Sequence, residues 1–148
     1  MKTIKAVRAY KIMQSAHTSK MEATDKIKMA KAMRVLRPFA EEYDKDLEEG
    51  KKILQDDKFE EMQQKAAKHN EAIQNKSQDG LLSYSELKEL NDYFKKSEKD
   101  AKELIKELDE KEISISIGRL SEAEFGRLVA SNDFIGDDIQ SLADVILE

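Results

Sequence analysis

Two long stretches of this chain place an apolar residue at alternating intervals of four and three residues. The first stretch begins at Met29 and ends at Leu54, and the second begins at Leu87 and ends at Leu108. This spacing puts the apolar side chains on one face of an α-helix and is typical of helices that pack side by side. Because the 148 residues include only one proline and five glycines, few positions interrupt helices. The sequence therefore predicts a mainly α fold.

A short polar segment lies between the two stretches. Residues 75–80 read Asn-Lys-Ser-Gln-Asp-Gly, which favours a turn, and Ser83 with Glu86 has the spacing of a helix cap. Because a short turn sends the next helix back in the opposite direction, residues 39–74 and 84–110 are expected to form a long antiparallel hairpin or bundle.

Two interruptions are expected in the first arm of this hairpin. Pro38 has no amide hydrogen and predicts a kink or a helix restart, although the apolar spacing continues across it and favours one bent helix. A second break is expected near residues 56 and 57, where Asp57 and Glu60 predict a helix cap.

The N-terminal residues predict two helices. Residues 4–16 carry small and apolar side chains at helical spacing, and residues 17–19 interrupt the pattern. Ser19 and Glu22 then have the spacing of a capping box, which predicts that the second helix begins there.

The C-terminal residues contain the one strand-like pattern in the chain. Ile113, Ile115 and Ile117 alternate with serines, which predicts a β-strand. Ser121 and Glu124 then predict a capped helix, and a short final helix follows.

A lone strand needs a partner for its backbone groups. The partner is expected to be the N-terminal segment 2–7, an unrecognised strand, or a second copy of the chain. We favour the second copy, which predicts self-association. The elements thus divide the chain into three segments of one structural unit: basic helices at 1–38, the hairpin at 39–110, and a C-terminal strand with short helices at 111–148.

Charge is distributed unevenly along the chain. Residues 1–38 contain ten basic and two acidic side chains, a net charge of +8, whereas residues 39–148 carry −13. The basic segment predicts either nucleic-acid binding through residues 2–37 or packing beside the acidic helices of one bundle or dimer. Packing is the preferred interpretation because the segment has few aromatic side chains to stack on bases.

The turn also matches part of an EF-hand calcium loop. Asn75, Ser77 and Asp79 occupy its first, third and fifth positions. Glu86 occupies the twelfth position, and Gly80 occupies the sixth, where the loop turns sharply. Any calcium binding by these four ligands should be weak, because only two of them are charged. A turn followed by a helix cap explains the same residues without a metal.

The sequence lacks the residue patterns of several common catalytic mechanisms. Without cysteine, the chain has no thiol nucleophile, cysteine-ligated metal or disulfide. His17 and His69 are its only histidines, and neither belongs to a recognised metal-binding pattern. The sequence also lacks a glycine-rich phosphate loop. We therefore expect a protein that is not an enzyme and has no cofactor, with weak calcium binding as the open alternative.

The sequence gives no sign of membrane insertion. Lys5, Arg8 and Lys11 interrupt the apolar run that a signal peptide needs. No stretch approaches the roughly 20 apolar residues of a membrane span. A cytoplasmic location is expected, and the partners are expected to be proteins or a second copy, with no membrane.

Two segments carry a resemblance to known proteins. Residues 1–38 form a basic pair of predicted helices ending at a proline, and residues 113–134 read ISISIGRLSEAEFGRLVASNDF. Both segments, which cover less than half of the chain, resemble small phage- and prophage-encoded helical proteins of gut bacteria. The resemblance implies a role in assembly, scaffolding or host interaction, in the host cytosol or an assembled virion. It implies no site residues.

Overall fold

Helices make up 74% of the protein in the computed structural model, which describes residues 1–148. The six helices are α1 (Thr3–Ser15), α2 (Ala23–Leu54), α3 (Asp57–Gln74), α4 (Tyr84–Glu110), α5 (Glu122–Ala130) and α6 (Gly136–Ile146). The mainly α fold is confirmed. No helix combines the length with the apolar character that crossing a membrane requires.

The chain divides into two units. The terminal unit contains residues 1–46 and 107–148, and the central unit contains residues 47–106. This division differs from the three expected segments, because side chains from both ends of the sequence share one core. α2 and α4 each contribute residues to both units.

The terminal unit contains the main hydrophobic core. α1 lies against α6, and α5 and the first part of α2 complete the core. Met13, Leu36, Leu128 and Leu142 come from four different helices, and each is at most 1% exposed. Each helix therefore buries one apolar face, as its spacing of apolar residues predicts.

In the central unit, α3 packs antiparallel to the part of α4 before residue 107. The rings of Phe59 and Phe94 meet edge to face with centroids 5.9 Å apart. Nearer the turn, the backbone N–H of Leu82 donates to Nδ1 of His69 at 3.1 Å. This arrangement agrees with the antiparallel hairpin expected from the intervening turn.

The break between α2 and α3 falls where the sequence predicts it, with α2 ending at Leu54. The cap is shifted by one residue from the prediction, since Asp56 rather than Asp57 caps α3. Its carboxylate accepts a hydrogen bond from the backbone N–H of Phe59 at 3.0 Å. The same carboxylate accepts a hydrogen bond from the Tyr93 hydroxyl at 2.9 Å. The carboxylate that caps α3 therefore also holds α4.

The start of α2 differs from the prediction. The helix begins at Ala23, and the expected capping box at Ser19 and Glu22 does not form. Instead the Asp25 carboxylate reaches back and accepts a hydrogen bond from the backbone N–H of Glu22 at 2.9 Å. This contact is the reaching-back half of a capping box, shifted along the chain.

Of the two alternatives at Pro38, the helix restart does not occur, and α2 continues through the proline as the unbroken apolar spacing favours. Leu36 and Ala40, on either side of it, are 0% and 2% exposed in the core of the terminal unit. Burial of both neighbours holds the helix together despite the hydrogen bond that proline cannot donate.

The strand expected at residues 113–117 does not form. Ile113, Ile115 and Ile117 are half-buried against the core of the terminal unit, in a segment without regular structure. Their alternation therefore reflects an extended segment with one side on the core.

Backbone pairing near this segment is limited to an isolated antiparallel bridge between Lys2 and Glu112. Beside it, the N–H of Thr3 donates to the carbonyl of Lys111 at 2.9 Å, and the N–H of Ile113 donates to the carbonyl at residue 1. The N-terminal segment thus supplies the pairing, and this feature no longer argues for a second copy.

Candidate functional site

Exposed apolar side chains are concentrated in the central unit. The six large exposed ones in the protein are Ile27, Ile53, Ile73, Leu81, Tyr84 and Ile135. Four of these six belong to residues 47–106. Ile73, Leu81 and Tyr84 lie within one short stretch around the turn between α3 and α4, and we call them the turn-end residues.

The turn-end residues are not covered by other parts of the central unit. Tyr84 is 84% exposed and Ile73 is 56% exposed. Ala72, which precedes Ile73, is only 3% exposed, so the buried face of α3 near its end runs through Ala72 rather than through Ile73.

A second candidate is an apolar cavity in the terminal unit, with a volume of about 150 Å³. Its lining residues come from the start of α1, from α2, and from the end of α4 with the segment that follows. They are Thr3, Phe39, Glu42, Tyr43, Asp46, Leu108, Lys111 and Ile113. The four residues from α2 are spaced by three, one and three positions, so they lie on one face of that helix. Below, this feature is called the Tyr43 cavity.

The two hydroxyl groups that line the Tyr43 cavity already have partners. The Tyr43 hydroxyl donates to the Asp109 carboxylate at 2.6 Å, and the Thr3 hydroxyl donates to the carbonyl of Lys111 at 2.7 Å. Burial, together with the hydrogen bond to Asp109, raises the pKa of Tyr43 to about 12. The tyrosine therefore stays neutral at any ordinary pH, and its ring is an apolar wall of the cavity.

Charged side chains lie at the rim of the same cavity. Glu42 and Lys111 form an ion pair at 3.6 Å, and their side chains are 58% and 57% exposed. Asp46 is half-buried and makes no ion pair. The rim therefore has one paired and one unpaired carboxylate.

The four predicted calcium ligands are only partly brought together. Asn75, Ser77 and Asp79 line one surface cavity of about 410 Å³, together with Lys68 and Glu71 of α3. Glu86 lines a different cavity, beside Met62 and Leu90. No group of three or more histidine and acidic side chains is placed to hold a metal ion.

Hydrogen bonds within the turn use several of the same groups. The Ser83 hydroxyl donates a hydrogen bond to the Glu86 carboxylate at 3.0 Å, and it accepts one from the backbone N–H of Glu86 at 3.3 Å. The Ser77 hydroxyl accepts from the N–H of Asp79 at 3.1 Å. These hydrogen bonds belong to the turn and to the cap of α4. They give Ser77 and Glu86 a structural role that needs no bound metal ion. Calcium binding stays a prediction.

Several basic residues of the N-terminal segment pair with carboxylates from later in the chain. The three closest pairs are Lys5 with Asp144 at 3.0 Å, Lys11 with Asp44 at 2.8 Å, and Lys28 with Glu124 at 2.7 Å. These pairs favour the packing interpretation of the basic segment. Nucleic-acid binding through residues 2–37 stays a prediction.

A further ion pair was not foreseen from the sequence. The Asp25 carboxylate, which is fully buried, accepts hydrogen bonds from Nε of Arg127 at 2.6 Å and from its terminal nitrogen at 3.0 Å. The hydrogen bonds from Arg127 lower the pKa of Asp25, against the opposing effect of burial. Since the two residues are 102 positions apart, no local pattern could have linked them. Their role is to clamp α5 onto the start of α2.

Comparisons of the chain with protein-family models, with curated proteins and with solved structures find no match. The resemblance of residues 1–38 and 113–134 to phage proteins therefore stays a prediction. The function has to be argued from the arrangement of this chain's own residues.

Proposed function

We propose that the protein acts without catalysis, in protein–protein interaction or assembly, through the turn-end residues of its central unit. The observation that supports this function is the imbalance of apolar side chains in that unit. Only Met62, Ala72 and Leu90 are buried hydrophobic residues there, whereas four large apolar side chains are exposed. Exposed apolar side chains that lie together mark contacts with other molecules, and three of these four lie within one short stretch of the chain.

The chemistry of the turn-end residues fits a protein partner. Tyr84 offers a large ring with a polar hydroxyl, and tyrosine is enriched where proteins meet. Ile73 and Leu81 add aliphatic surface nearby in the chain. Assembly is the favoured form of this interaction, in line with the predicted resemblance to phage proteins.

The first test is sedimentation velocity over a range of concentrations. We expect the wild type to associate as concentration rises, and the double variant Ile73→Gln, Leu81→Gln to remain monomeric. The matched control is Ile135→Gln, which makes the same change at a residue of the terminal unit that is 64% exposed. A wild type that stays strictly monomeric would exclude self-association through this surface.

The second test covers a partner of a different sequence. Because the chain has no cysteine, Gln78→Cys supplies a single thiol at the turn for a photo-crosslinker. We expect crosslinks from this thiol to a partner protein, and we expect these crosslinks to disappear when Ile73→Gln and Leu81→Gln are added. Asp133→Cys, in an exposed turn of the terminal unit, is the matched control. Equal crosslinking from both thiols would contradict the proposal.

A further inference from the structure

The Tyr43 cavity has the size and the surface of a binding site for a small organic group. Its volume of about 150 Å³ is that of an apolar cavity that holds a benzene-sized molecule, and the Tyr43 cavity is in addition open to solvent on one side. Phe39, Leu108 and Ile113 provide aromatic and aliphatic wall surface. This cavity lies in the terminal unit, so the inference is independent of the function proposed for the central unit.

The two hydroxyl groups in the wall of the cavity are not free to bind a ligand. No buried side-chain nitrogen or oxygen atom in the protein lacks a hydrogen-bond partner. The Tyr43 hydroxyl is held by Asp109, and the Thr3 hydroxyl is held by the carbonyl of Lys111. A polar ligand atom placed inside would lose its water without gaining a partner, so the buried part of a ligand must be apolar.

The rim of the cavity determines the charge of the preferred ligand. Lys111 is paired with Glu42 at 3.6 Å, whereas Asp46 has no basic partner. A cationic group held at the rim can therefore pair with Asp46, which an anionic group cannot do. Nζ of Lys11 also lies near, 6.0 Å from the centroid of the Tyr43 ring, but this lysine is paired with Asp44.

We propose that the Tyr43 cavity binds a small arylalkyl amine, with the ring among Phe39, Leu108 and Ile113 and the ammonium group at Asp46. Such a ligand uses both features of the site, because its ring leaves water for an apolar cavity and its charge stays at the partly exposed rim. Neutral aromatics should bind more weakly, and aromatic carboxylates most weakly.

The test is a titration of the full chain, labelled at its isoleucine and leucine methyl groups, followed by NMR. The probes are benzylamine, toluene and phenylacetate, at a pH where the amine is protonated. We expect saturable shifts centred on the methyl groups of Ile113 and Leu108, strongest for benzylamine and weakest for phenylacetate. Absence of saturable shifts, shifts centred elsewhere, or equal binding of benzylamine and phenylacetate would overturn the proposal.

A pair of charge variants tests the role of the rim. Asp46→Asn should weaken benzylamine binding roughly two- to fivefold, as expected for a partly exposed ion pair, and leave toluene binding unchanged. Glu41→Gln removes an exposed carboxylate that does not line the cavity, and it should change neither affinity. Circular dichroism serves as the check that both variants are folded. An Asp46→Asn variant with unchanged benzylamine affinity, or with equal losses for benzylamine and toluene, would contradict the assignment of the ammonium group to Asp46.

Discussion

The terminal unit buries seventeen hydrophobic side chains among its 88 residues, whereas the central unit buries three among 60. Both units are helical, and both are rich in lysine and glutamate. They differ in how many of their helix faces are covered. In the terminal unit four helices surround one core, so a residue such as Leu128 is covered from every side.

In the central unit the helices meet along a narrow seam. Of the seam residues that α4 contributes there, only Leu90 is fully buried, and Leu87 and Leu104 are half-buried. The comparison teaches that heptad spacing is enough to pair helices but does not by itself supply a core. The surface left over is what makes the central unit the better candidate for contact with another molecule.

The largest expected effect comes from truncating matched leucines in the two units. Leu128→Ala removes a side chain that is 0% exposed, and we expect a loss of about 2–5 kcal/mol in the free energy of unfolding. Leu104→Ala removes a half-buried side chain of the central unit, and we expect a loss of about 1 kcal/mol. Urea denaturation followed by circular dichroism measures both. Equal losses would show that the two units are packed equally well.

A smaller effect should appear on acidification. All four carboxyl groups with a lowered pKa, Asp25, Glu112, Glu124 and Asp144, belong to the terminal unit. A lowered folded-state pKa means that the unfolded chain takes up the proton first as pH falls. The stabilisation is therefore present above the ordinary value of 3.8 for Asp25 and is lost as pH falls through its lowered folded value.

Thermal denaturation, followed from neutral pH to pH values below the lowered pKa of Asp25, measures this loss of stability. We expect Asp25→Asn to destabilise the protein less than Leu128→Ala, and to flatten the acid dependence. The control Asp44→Asn makes the same change at an exposed ion pair with Lys11, and it should destabilise the protein less than Asp25→Asn does. If Asp25→Asn retains the full acid dependence, the buried ion pair is not its source.

Two glycines should give smaller effects than Leu128→Ala, and these effects should have opposite signs. Gly80 has φ +89°, and an added Cβ would lie 3.3 Å from the carbonyl oxygen of Lys68. We therefore expect Gly80→Ala to destabilise the turn by about 1–2 kcal/mol. Gly126 lies inside α5 with open space around it, so Gly126→Ala should stabilise the protein by roughly 0.5–1 kcal/mol. Chemical denaturation compares the two variants, and a stabilised Gly80→Ala would contradict the described turn.

Much of the fold could be predicted because its signals are local. The capping box of Ser121 and Glu124 forms as expected, since its four residues contain both partners. The turn that Gly80 and the polar residues before it predict is likewise confirmed, because it lies between α3 and α4. The break after Leu54 was also predicted, although the residue that caps the next helix is Asp56 rather than Asp57.

The missed features depend on residues far apart in sequence. The alternating Ile113, Ile115 and Ile117 have the period of a strand, but packing on the terminal core produces the same pattern. The Tyr43 cavity was not predicted from the sequence. Its residues from α2 become neighbours of Thr3 and of the residues after Leu108 only through the fold. The pairing of Asp25 with Arg127 was missed for the same reason, because the fold brings together two residues that are 102 positions apart.

Native-state hydrogen exchange tests the central claim most directly, because it measures the opening free energy of each helix separately. The claim is that the central unit is incompletely covered, whereas the terminal unit has a closed core. We therefore predict that the amides of α3 exchange through openings of clearly lower free energy than those of α1, α5 and α6. Equal protection of α3 and the terminal helices in the isolated protein would contradict the account.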